Sequence, residues 1–153
     1  MRLTSYSNYT MRVLMVAAAR SPALSTIREV AHSFNISEAH LVKCVHQLGT
    51  WGYLATVRGN KGGFRLARPA AEINVGEVIR RTEDGFNTVE CFDSSNNTCP
   101  LTGRCRLSAA LQRGTRAFLA ALDELTLADI TLNGEELLAV LSLNLARCET
   151  PLA

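Results

Sequence analysis

Residues 26–68 read TIREVAHSFNISEAHLVKCVHQLGTWGYLATVRGNKGGFRLAR. Two helices, the turn between them and a β-hairpin are written in this stretch. Thr26 and Glu29 stand three apart, the capping-box pattern that opens a helix. Ile27, Val30, Ala31 and Phe34 recur at helical spacing and make its buried face. Phe34-Asn35-Ile36 is the turn, and Asn35 tolerates the left-handed backbone that a tight interhelical turn needs. Ser37 suits the N-cap of the next helix. Leu41, Val45 and Leu48 line that helix's inner side, with Cys44 among them as a small core residue, and Gly49 and Gly52 loosen its end. Residues 53–58 and 64–68 read as short strands around Gly59-Asn60-Lys61-Gly62-Gly63, a glycine-rich hairpin loop.

Working outward, residues 5–20 predict a helix apolar on most sides, with Tyr6, Tyr9, Val13 and Val16 at helical spacing and Pro22 after the break. Pro69 ends the second strand. Asn74 and Glu77 open a helix over 75–82, with Val75, Val78 and Ile79 inward. The expected fold is mainly α: a winged helix-turn-helix DNA-binding domain at 1–83, a cluster-binding loop at 84–105, and a dimerisation helix and C-terminal tail at 106–153. Residues 84–104 are rich in Ser, Asn and Thr, so hydrophobic burial alone cannot order them. Over 106–125, Leu107, Leu111, Phe118, Leu122 and Leu125 share one face with Ala110, Ala117 and Ala121. Such a helix spans about 30 Å. A small winged domain cannot cover it, which points to a second copy of the chain; packing within one chain is the alternative. A short segment at 126–130 and an apolar helix at 135–145 follow.

The 153 residues suffice for one domain, or a small domain with an appended element. The net charge of +2 hides an asymmetry. Residues 1–90 carry eleven basic and seven acidic side chains, and residues 91–153 five and seven. Within 37–68, Lys43, Arg58, Lys61, Arg65 and Arg68 face a single acid, Glu38, a balance that suits a polyanion. Val13–Ala19 is apolar but short, with no basic leader before it, and no run reaches membrane-spanning length. A cytoplasmic protein that does not engage membranes is expected, with its thiols reduced.

In a winged helix-turn-helix the third helix fits the major groove and its N-terminal residues face base edges. Ser37, Glu38, Ala39, His40 and Lys43 occupy that side. Arg58, Asn60, Lys61 and the amides of Gly59, Gly62 and Gly63 would meet a phosphate ridge or the minor groove. His40 reads either as a DNA contact or as an ordinary exposed histidine; His32 and His46 read as surface or packing residues. Some winged helices bind proteins instead, so that alternative stays open.

Cys91, Cys99 and Cys105 follow in the spacing C-x7-C-x5-C. Structural zinc commonly takes four ligands with C-x2–4-C knuckles; none is present, and no histidine follows His46. Three thiols in a polar loop fit an iron–sulfur cluster with a weak or foreign fourth ligand better. A cluster-free disulfide switch and zinc remain alternatives. Cys148 reads as incidental. A thiol or iron–sulfur redox enzyme would be a third reading, but no phosphate-cradling glycine loop, Ser-His-Asp set or Cys-x-x-Cys pair supports it.

With these residues in view, the chain resembles the bacterial winged-helix regulators of the IscR, NsrR and RirA type over nearly its whole length. MRLTSYSNYTMRVLM resembles their first helix, VRGNKGGFRLARPAAEINVGEVI their wing and following helix, and ECF…CPLTGRCRL their cluster loop. The resemblance implies a homodimeric transcription regulator, a repressor, whose long helices cross at the dimer interface. It implies one cluster per subunit on Cys91, Cys99 and Cys105, [4Fe–4S] favoured over [2Fe–2S], with nitric oxide, iron or oxygen as signal. LTLADI and CRL are similar to the nitric-oxide branch, and the seven-residue gap and ECF…CPL to the iron branch. The biogenesis branch has a histidine where this chain has Ser108. Some nitric-oxide sensors use an aspartate of the first helix as fourth ligand; Asn8 stands there, which leaves water, a small thiol, Glu90 or Asp93 to fill that place.

Overall fold

Helix α1, Ser5–Arg20, runs through the middle of the molecule and buries Val13, Leu14, Val16 and Ala17. The computed structural model describes residues 2–59, 61–93 and 95–148. Thr4 caps α1 by accepting from the Ser7 N–H at 3.2 Å. Arg20 closes the helix, and its guanidinium reaches Glu29 at 2.8 Å.

The next helix, α2 (Ile27–Phe34), begins with both halves of the capping box in place. The Glu29 N–H donates to Thr26 Oγ1 at 3.2 Å, and the Thr26 N–H to Glu29 Oε2 at 2.8 Å. Asn35 takes the left-handed conformation at φ 53° and turns the chain into α3, Glu38–Thr50. Ser37 holds the N-cap position without a side-chain hydrogen bond, so it caps by backbone conformation only. Leu41, Cys44, Val45 and Leu48 make the buried side of α3.

Strands β1 (Leu54–Val57) and β2 (Gly63–Leu66) pair antiparallel, with Leu54 opposite Leu66 and Val57 opposite Gly63. They are shorter than the sequence pattern suggests. Tyr53 donates its N–H back to the Leu48 carbonyl at 2.9 Å and so finishes α3 rather than starting the strand. Arg68, counted above with the basic residues, serves the fold. It lies 4.5 Å over the Tyr53 ring and donates to the Trp51 and Gly52 carbonyls at 3.3 Å each. Ser25 and Phe64 exchange backbone hydrogen bonds at 2.9 and 2.8 Å, tying the hairpin to the segment before α2.

Helix α4 spans Val75–Thr82, with Asn74 Oδ1 accepting from the Glu77 N–H at 2.9 Å. Beyond the cysteine loop come α5, Arg106–Asp123, and α6, Gly134–Cys148, with a single 3-10 turn at Asp129–Thr131 between them. No residue of α5 is buried, and its side chains at Leu107 and beyond leave an apolar face open. Its C-terminal end is gripped. Arg80 pairs with both oxygens of Asp123, and Asn74 Nδ2 donates to the Asp123 carbonyl at 2.7 Å. Helix α6 instead returns to α1 and α2, and Leu127 and Leu141 join the same core as Val13, Leu41, Phe64 and Val78. The stretch 106–153 therefore divides in its packing: α5 stands off the core, while residues 127–141 help to close it. Burial of each large aliphatic side chain in such a core contributes about 1.5–3 kcal/mol. No helix among the described residues is long and apolar enough to cross a membrane.

Candidate nucleic-acid interface and thiol loop

The outward side of α3 follows from its inward side. With Leu41, Cys44, Val45 and Leu48 turned into the core, helical geometry puts Glu38, Ala39, His40 and Lys43 in solvent, and all four are exposed, as is Ser37. The His40 ring lies 6.1 Å from that of Tyr9, so α1 borders this face. In the hairpin Arg58, Gly59 and Lys61 are exposed. Asn60 lies outside the described residues. Gly59 has φ +114°, which side-chain-bearing residues avoid. Gly62 is needed for space: a Cβ there would strike the Val57 carbonyl and stand 2.8 Å from that of Gly59. Lys43, Arg58 and Lys61 form no ion pair among the described residues, whereas Arg80, Arg81 and Arg20 each pair with an acid. Val42, which carries no charge or polar group to mark it in the sequence, is 50% exposed on the same face. Its spacing of three from Ala39 was the available signal.

The loop after α4 starts from a fixed root. Glu83 Oε1 accepts from the Thr4 N–H at 2.8 Å, from Thr4 Oγ1 at 3.0 Å and from the Ser7 hydroxyl, which fastens the end of α4 to the start of α1. Past it, local polar bonds order much of what the sequence left without a burial-based explanation. Asp93 Oδ1 accepts from the Ser95 N–H at 2.9 Å and from its hydroxyl at 2.5 Å. Those bonds, the hydroxyl's foremost, hold the Asp93 carboxyl below its ordinary range. Asn97 accepts from the Cys99 N–H at 3.0 Å and donates to Thr102 at 2.8 Å. Phe86 packs beside Phe118 of α5 with ring centroids 6.4 Å apart.

Cys91 sits in a 3-10 turn, Glu90–Phe92; Cys99 stands in the Asn97–Thr102 turn; Cys105 is the N-cap of α5, its Sγ accepting from the Ser108 N–H at 3.4 Å. All three are free thiols, each partly buried. Among the described residues no three His, Cys, Asp or Glu side chains gather closely enough to hold a metal ion, so the triad is not assembled in this arrangement. Of the three residues weighed for the fourth position, Asn8 is exposed on α1, Glu90 is exposed, and Asp93 is engaged by Ser95. In chemical kind the donors fit an iron–sulfur cluster. Three unpaired thiols share one polar segment, and one receives an N–H bond at a helix N-terminus, where negative charge is favoured.

A helix-turn-helix, a glycine-bearing wing with unpaired cations and a free thiol loop define a winged-helix DNA-binding regulator. Solved structures share the fold. CymR (YrzC), the global cysteine regulator of B. subtilis, superposes with a TM-score of 0.69 at 21% identity, covering 87% of this chain and 98% of that one. IscR of T. potens gives 0.68 at 22% identity, covering 89% and 90%. The HTH-type transcriptional regulator NsrR of Bacillus subtilis (strain 168) is 44% identical over 144 residues, 94% of this chain and 99% of the relative. The family model Rrf2, iron-dependent transcriptional regulator, matches residues 3–133. The chain belongs to the Rrf2 family and is a transcriptional regulator, not an enzyme.

Proposed function

We propose that the chain is a cytoplasmic homodimeric repressor whose grip on operator DNA depends on an iron–sulfur cluster held by Cys91, Cys99 and Cys105. The observation that carries this reading is the place of Cys105. It caps α5, a helix in which no residue is buried and whose Leu107 stands 65% exposed, while the far end of α5 is fastened to α4 of the head. A cluster, [4Fe–4S] in preference to [2Fe–2S], would supply the chemistry that nitric oxide, oxygen or iron loss can undo. The likeness of LTLADI and CRL to the nitric-oxide branch favours nitric oxide among these signals. The chain's own residues do the rest. Lys43, Arg58 and Lys61, with Ser37, Glu38, Ala39 and His40 between them, would meet the duplex, and Asn60, Gly59 and Gly62 would complete the wing. Ligation of the thiols would brace residues 84–105 between head and α5, and so fix the distance between the two heads of a dimer. Release of that brace would shift the dimer towards geometries that no longer match two half-sites.

Protein purified without oxygen should be brown, contain iron and sulfide, and shift an operator duplex. A few equivalents of nitric oxide should bleach it and release the duplex, and Cys105→Ser should give colourless protein with weak binding. Iron-free protein that binds at full strength would overturn the reading; a reversible response of such protein to oxidants would establish the disulfide switch instead.

A further inference from the structure

The outward stripe of α3 runs Ala39, Val42, Lys43, His46, four exposed positions at the i, i+3, i+4, i+7 spacing of one helix face. Val42 keeps 50% of its surface in solvent, while Leu41, Val45 and Leu48 of the same helix are 0%, 5% and 0% exposed. A lone exposed valine on an ordinary surface needs no explanation. Here it stands beside the exposed Ala39 on the helix offered to the major groove, bordered by Lys43 and His46, neither of which forms an ion pair among the described residues. Glu38 is the one acid of this face. Two small apolar side chains are too little surface for a protein partner. They match in size the one apolar group that a base edge presents in the major groove, the C5 methyl of thymine.

We propose that Ala39 and Val42 read a thymine methyl group, making this part of α3 a shape-and-apolarity detector beside the cationic side that follows the phosphates. This rests on the DNA-binding reading given above. A thymine placed against the pair would exclude water from its methyl and from Val42 together. Loss of one such methyl contact should weaken binding about fourfold.

The test uses the full chain, kept free of oxygen, and duplexes recovered by repeated selection from a random-sequence pool. Each is synthesised once with thymine and once with deoxyuridine, which keeps the pairing and the O4 acceptor but lacks the methyl. The wild-type chain should bind the deoxyuridine duplex at least about fourfold more weakly. Val42→Ala should lose affinity for the thymine duplex and narrow the gap between the two to less than about twofold. The site is exposed and alanine favours the helix, so the variant folds. Equal binding of both duplexes by the wild type, or an undiminished gap in Val42→Ala, overturns the proposal. Lys43→Gln separates the two readings: a uniform loss on both duplexes with no methyl gap keeps DNA binding and removes only methyl reading. Selection that enriches no sequence removes both.

Discussion

Gly76 is where α4 and the end of α5 touch. A Cβ there would strike the Asp123 carboxylate and stand 3.0 Å from the Asp123 backbone nitrogen. The carboxylate is held by Arg80 and the Asp123 carbonyl by Asn74, so neither can step aside without breaking those bonds. Gly76→Ala should therefore destabilise the fold by about 1–3 kcal/mol in a urea titration, although alanine is the better helix former. Lys61 stands free at the tip of the wing. Replacement by alanine should weaken binding alike across sequences and reduce the slope of log affinity against log salt by about 1. An unchanged slope in a salt titration would remove Lys61 from the phosphate contacts.

Helix α2 shows what the local code can carry. Burial would raise the Glu29 carboxyl, but the Arg20 guanidinium and the Thr26 N–H and hydroxyl outweigh it and hold it below its ordinary value. A depressed carboxyl stabilises the fold fully above its unfolded value and loses that contribution as pH falls through the folded one. The melting temperature of the wild type should exceed that of Glu29→Gln at pH 7, and the difference should vanish once pH drops well below roughly 4.3. This capping box, the Asn35 turn and the Asn74 cap were legible in the sequence because each joins residues three or four apart. The ties of Glu83 to Thr4 and of Arg80 to Asp123 were not, because they span 79 and 43 residues and leave no periodic trace. In the thiol loop the residue types were legible, and so was the start of α5 directly after Cys105, but nothing local foretells the separate 3-10 turn that holds Cys91. Trimming of the wing strands came from Tyr53 and Arg68 being drawn to α3, again a tertiary effect.

The whole molecule is built around two unlike surfaces, a closed core and an open helix. Leu107 is 65% exposed on α5, in a helix with no buried residue. Leu107→Asp combined with Leu111→Asp should yield a monomer by analytical ultracentrifugation while leaving the helical signal of the head intact, since neither side chain enters the core. A pair of charges there would otherwise be costly to bury in an interface. The core makes the opposite demand. Leu127 is 0% exposed and donates its N–H to the Ile73 carbonyl at 2.8 Å, and α6 covers both α1 and α2. During synthesis, then, a nascent chain that has already extruded its helix-turn-helix still lacks part of its own roof. A chain cut short before position 127 should leave part of the core shared with Val13 and Ile73 uncovered, and should melt at a lower temperature than the full chain.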